Sequence, residues 1–63
     1  MQYKIKVQFW GYSEPTYFHA KNRELRDKMI KEFINDYAIT KVDYAKIYKD
    51  NAVGKYKTIY FEK

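Results

Sequence analysis

The chain has 63 residues with no Cys, one His, 13 basic and 8 acidic side chains, and a formal net charge of +5. That length holds one domain with one core, and the missing Cys excludes disulfides and thiolate metal sites. Stability must then come from aromatic burial or self-association, and eight Tyr, four Phe and one Trp supply the rings, each burying ~150–250 Å².

Residues 2–10 alternate strictly. Tyr3, Ile5, Val7 and Phe9 fall on one face and Lys4, Lys6, Gln8 and Trp10 on the other, the signature of a half-buried strand. Residues 11–15 (Gly-Tyr-Ser-Glu-Pro) form a turn or loop, because Gly permits positive φ and Pro fixes its own. Residues 16–21 are a candidate second strand with Phe18 and Ala20 inward and Tyr17 and His19 outward.

Asn22 is a good N-cap, and Glu24 suits the first turn of a helix. From there to about Tyr37 the pattern is helical: Leu25, Met29, Phe33 and Tyr37 recur every four residues, and Ile30 and Ile34 widen the stripe. Glu24–Lys28 and Asp27–Lys31 stand in the favoured i,i+4 order on the solvent side.

Residues 41–49 and 55–62 read as two strands joined by a turn at 50–54. Ala45, Ile47, Ile59 and Phe61 fit an inward face, which sends Tyr44, Lys46, Tyr48, Tyr56, Thr58 and Tyr60 outward. Lys57 falls inward by parity, so a bulge shifts it or the strand end is open enough for the ammonium to reach water.

The expected fold is α+β: a single domain over residues 1–63, ββαββ or, without the second strand, βαββ. One helix packs on one face of a mainly antiparallel sheet of three or four strands. Tyr3-Lys4-Ile5, and a helix followed by an aromatic hairpin, give an element order that resembles the β-grasp layout of the small immunoglobulin-binding domains of bacterial surface proteins. The likeness covers most of the chain in element order and length, and no antibody binding is inferred from it.

Charge is unevenly placed. Residues 22–37 hold four basic and four acidic side chains, while the remainder holds nine Lys against Glu14, Asp43, Asp50 and Glu62. By the parity above, the uncovered sheet face presents Lys4, Lys6, Trp10, Tyr44, Lys46, Tyr48, Tyr56 and Tyr60. Trp and Tyr are enriched at protein interface hot spots. Rings with interleaved Lys also suit single-stranded nucleic acid, and cross-strand aromatic pairs can simply stabilise a solvated sheet. Only two Arg are present, which disfavours base-specific DNA reading.

Motifs for catalysis are missing. His19 is the one neutral-pH general base among the usual side chains, and the single Ser, Ser13, sits in a turn with no nucleophile elbow. Asp36, Asp43 and Asp50 lie on different elements, which does not support a metal site. The two Gly, Gly11 and Gly54, make no phosphate loop.

The expectation is therefore a non-enzymatic binding protein without metal or cofactor. Its favoured partner is a protein or ribonucleoprotein, in the style of phage and mobile-element accessory proteins that block a host enzyme or defence complex. A nonspecific single-stranded DNA or RNA binder is the alternative, a small toxin-type ribonuclease using His19 the third, and self-association through the same face a further option. No apolar run reaches the ~20 residues that span a bilayer, and the alternating residues 1–6 do not read as a signal peptide. A cytoplasmic location, in a bacterial or phage-infected cell, is expected.

Overall fold

The structure is a computed structural model that describes residues 2–60, the last by its backbone alone. The elements are β1 (Gln2–Phe9), β2 (Thr16–Ala20), α1 (Arg23–Ile34), β3 (Ile39–Ile47) and β4 (Lys57–Tyr60). They form a single α+β domain: an open sheet in the order β2-β1-β3-β4, every neighbouring pair antiparallel, with α1 on one face. The second strand is thus present. The β-grasp likeness extends to element order and to one helix on four strands, while the strand order sets β3 beside β1. Strands β2 and β3 flank β1 and run parallel to each other, so α1 is the crossover that parallel strands require.

The core lies between sheet and helix. Ile5, Val7, Ile39 and Val42 are fully buried, joined by Tyr3, Ala20 and Ile30 and flanked by Phe9, Phe18, Leu25, Met29, Phe33, Tyr44 and Ile59. Phe18 and Phe33 meet at 5.1 Å between ring centroids, tying the edge strand to the last turns of the helix. The alternation read in β1 and β2 and most of the helical stripe are thereby realised.

The helix begins as its cap dictates, with the Leu25 backbone N–H donating to Asn22 Oδ1 at 2.8 Å. It stops at Ile34, short of Tyr37. Asn35 caps it, and the Ala38 N–H donates to the Asp36 carboxylate at 2.9 Å, a local turn that competes with helix continuation. Tyr37 therefore falls beyond the helix, and Ile34 is partly exposed. Asp27 pairs with its neighbour Arg26, rather than with Lys31 as expected.

The phase of β3 corrects the sequence reading. Tyr3 pairs with Lys46, Ile5 with Tyr44 and Val7 with Val42, so Tyr44 and Lys46 stand on the helix side and Ala45 on the opposite face. The pairing is regular from Lys41 to Ile47, and a register shift follows opposite the Gln8–Phe9 step, where β3 spends one extra residue. That bulge lets both Ile39 and Val42 face the core, while the misread phase came from Ala45, which is buried on the face without the helix. In β4 the expected parity holds: Lys57 opposite Tyr44 and Ile59 opposite Val42 are on the helix side, Thr58 opposite Asp43 on the other. Lys57 needs no bulge, since it is exposed at the open end of the strand. The expected inward place of Phe61 lies outside the described residues.

Candidate functional site

Two surfaces carry the rings and cations singled out from the sequence. The first is the sheet face opposite the helix. Along β1 it presents Lys4, Lys6 and Gln8, and Trp10, in the turn just past the strand end, is 77% exposed. Lys4 pairs with His19 and Lys6 with Tyr17 on β2, while on the other side Lys4 pairs with Ala45 and Lys6 with Asp43 on β3.

The lysines here are held against rings. Lys4 Nζ lies 4.5 Å from the Tyr17 ring centroid and Lys6 Nζ 5.8 Å from that of Tyr56. Each contact is worth ~0.5–1 kcal/mol at an exposed site. Beneath them Asp43 is buried, with 6% of its surface exposed. Its carboxylate accepts a hydrogen bond from the Thr58 hydroxyl, and Lys41 Nζ stands 3.9 Å away. Burial raises the Tyr56 pKa above its ordinary value, and the charges of Tyr17 and Asp43 push it the same way. From sequence alone Asp43 enters only the charge balance and the set of three spaced Asp residues, and is not singled out as buried.

The second surface follows from the width of the helix. An α-helix is ~10–12 Å across with side chains and strands lie ~4.8 Å apart, so one helix covers two or three strands of four. Among the described residues α1 packs on β2, β1 and β3 and leaves β4 uncovered. Beside the helix, toward the β3–β4 hairpin, a groove of about 730 Å³ opens. Among the described residues five cationic side chains line it, Arg23 and Arg26 from the helix and Lys46, Lys55 and Lys57 from the hairpin, against one carboxylate, that of Asp27. Its formal balance is +4, where the whole chain carries +5.

Tyr3, Tyr44 and Tyr48 supply its rings. The Arg26 guanidinium lies 4.6 Å from the Tyr3 ring centroid and 4.7 Å from that of Tyr44, and it donates to Asp27 Oδ1 from Nε at 2.9 Å and Nη2 at 2.7 Å. With its side chain 14% exposed, Arg26 is part of the wall. Tyr48 stands on the rim, half exposed, against Gly54, where an added Cβ would meet the ring at 3.2 Å. The Gly54 N–H donates to the Lys46 carbonyl at 2.9 Å, closing the hairpin at this point.

The residues expected on one face are therefore split. Lys4, Lys6 and Tyr56 share the open face with Trp10 at its end. Tyr44, Lys46 and Tyr48 belong to the groove on the helix side. Tyr60 is opposite Lys41 in the ladder, and its side chain lies outside the described residues. Arg23, Arg26, Lys55 and Lys57 were missed, because the helix is neutral when counted as a whole and only its position beside the hairpin gathers the two Arg with three Lys. His19 is exposed on β2, and Ser13 belongs to the separate 11–15 loop. Among the described residues no group of three or more His, Cys, Asp or Glu could hold a metal ion, and no helix is long and apolar enough to cross a membrane.

No family model, curated protein or solved structure matches the chain.

Proposed function

We propose that this is a non-enzymatic binding protein that docks its uncovered sheet face onto an acidic surface of a protein partner and acts by occluding it. The observation that carries this reading is the pair Lys4 and Lys6, with the exposed Trp10 beyond the strand end, on a face that none of the other described elements covers. Lys4, Lys6 and Lys41 stand there around one carboxylate, and that carboxylate is buried. The charge offered outward is positive, complementary to Asp and Glu on a partner. Trp10 is the anchor, a large ring of the kind that dominates interface energetics when it enters a pocket.

A protein partner is preferred to nucleic acid at this face for a geometric reason. Base stacking needs free ring faces, and Tyr17 and Tyr56 each have a lysine ammonium above them, which leaves Trp10 alone for stacking among the described rings of this face. A standard interface takes ~800 Å² from each partner, about a sixth of the 5053 Å² this molecule exposes, so one face suffices. Occlusion of a host enzyme or defence complex by a small basic protein fits this geometry and needs no catalytic group.

The test is capture of partners by the tagged protein from the source cell after nuclease treatment, with Lys4→Glu/Lys6→Glu and Trp10→Ala alongside. A defined protein retained after nuclease, and lost from both variants while their circular dichroism stays native, supports the proposal. Capture abolished by nuclease, or untouched by both variants, contradicts it.

A further inference from the structure

The groove between α1 and the β3–β4 hairpin is a different surface with different chemistry, and it goes beyond the docking face. We infer that it binds single-stranded nucleic acid, its cations taking successive phosphates and the Tyr48 ring taking a base.

Three observations carry this. The first is charge: the groove has a formal balance of +4 in a chain of +5, so the rest of the molecule is close to neutral around it. Five cations from two separate elements converge on one concave space, which concentrates the field more than the same charges spread over a flat face.

The second is how the groove's carboxylate is disposed of. Asp27 accepts two hydrogen bonds from Arg26. The same guanidinium lies against Tyr3 and Tyr44, so Arg26 is already engaged before any ligand arrives. Arg23, Lys46, Lys55 and Lys57 remain for phosphates. Lys is a point charge that tolerates any backbone path, as binding without sequence preference requires.

The third is shape. A space of about 730 Å³ is open along the side of the helix, suited to a short stretch of extended strand. Tyr48, 52% exposed, offers a ring at its rim, and among the described residues no lysine is held over it as over Tyr17 and Tyr56. Stacking of a base on such a ring is worth ~1–3 kcal/mol and is indifferent to base identity.

The experiment is titration of the intact, isotope-labelled chain with a ten-nucleotide thymidine oligomer, followed by backbone and Arg Nε amide shifts. Tripolyphosphate serves as the comparison ligand. Shifts should cluster at Arg23, Arg26, Lys46, Gly54, Lys55 and Lys57. With about three phosphates neutralised, log K should fall by ~2 per tenfold rise in salt. Lys46→Glu/Lys55→Glu should weaken oligomer binding at least ~10-fold. Lys4→Glu/Lys6→Glu removes as much charge from the other face and should weaken it less than ~3-fold. Tyr48→Ala should cost ~5-fold or more for the oligomer and leave tripolyphosphate unchanged.

No binding at low salt would overturn the inference. So would equal losses from the two double variants, which would make net charge alone responsible. Oligomer and tripolyphosphate affinities equally insensitive to Tyr48→Ala would overturn the assignment of a strand. Failure of the docking face in partner capture leaves these readouts unaffected.

Discussion

The open sheet face and the helix-side groove are built from the same residue types, Lys and Tyr, and differ in what those residues are committed to. On the open face the ammoniums of Lys4 and Lys6 lie over Tyr17 and Tyr56, and the one carboxylate is buried beneath them. The rings are capped and the face is continuous, with Trp10 protruding at its end. In the groove, Arg26 alone is spent on rings and carboxylate, and four further cations surround an open space. Composition counts both surfaces as basic and aromatic. Their geometry makes one a flat docking face and the other a concave site for a polyanion.

Arg26 is where the comparison breaks most visibly, because it serves both core and groove. Arg26→Ala removes two cation–π contacts and the cover over Tyr3 and Tyr44. The expected loss is ~2 kcal/mol of stability. Since ~1 kcal/mol shifts the melting temperature of so small a domain by ~4–8 °C, thermal denaturation should drop by about 10 °C. Arg26→Lys should restore little of it, since an ammonium cannot present a plane to two rings and a fork to Asp27 at once.

Asp43 is the matching probe on the open face. Asp43→Ala removes the hydrogen bond from the exposed Thr58 hydroxyl and a long contact with the half-exposed Lys41, at an expected ~0.5–1.5 kcal/mol in urea denaturation. Oligomer binding should not weaken, because this site is on the far side of the sheet from the groove. Thr58→Val removes the same hydrogen bond from the other partner, and its cost should not add in full to that of Asp43→Ala.

Gly54→Ala is a smaller and more local change. The new Cβ would crowd the Tyr48 ring at 3.2 Å, and that ring is the mobile end of a side chain, so it should swing outward while the fold persists. Stability should change by less than ~1 kcal/mol, with Tyr48 ring resonances shifted and oligomer affinity lowered by only a few-fold.

The smallest expected effect is one of pH. Folding holds Tyr56 protonated above its ordinary value, chiefly by burial. A raised folded pKa contributes stability that is complete below the unfolded value, ~10 for Tyr, and is lost as pH rises through the folded value. Urea midpoints should therefore fall on going from about pH 9 to about pH 11, and Tyr56→Phe should flatten part of that fall. An unchanged slope would mean that other tyrosines govern it.

Much of the architecture was legible in the sequence because local rules and tertiary structure agree there. Strict alternation marked β1, Asn22 marked the start of α1, and Asp50, Asn51 and Gly54 marked the hairpin. Asn51 does take the left-handed conformation, φ 64°, that Asn tolerates better than most residues. What stayed hidden has physical causes. Reading Ala45 and Ile47 as the inward pair of β3 puts Tyr44 and Lys46 on the wrong face, within a stretch whose register is regular. Ala45 is small enough to be buried on the face without a helix, which made it look like a core residue of the other side. The groove depends on how far one helix reaches across four strands and on which of its charges face the hairpin, and neither is written in any single segment.

The two basic surfaces are proposed to act separately, and one crossed measurement decides it. Lys4→Glu/Lys6→Glu and Lys46→Glu/Lys55→Glu, each confirmed folded, are taken through both nuclease-treated partner capture and oligomer titration. The expected result is a crossed pattern: the first pair of changes abolishes capture and spares the oligomer, and the second weakens the oligomer at least ~10-fold and spares capture. Parallel losses in both assays would contradict the account and reduce the two surfaces to one undivided basic charge.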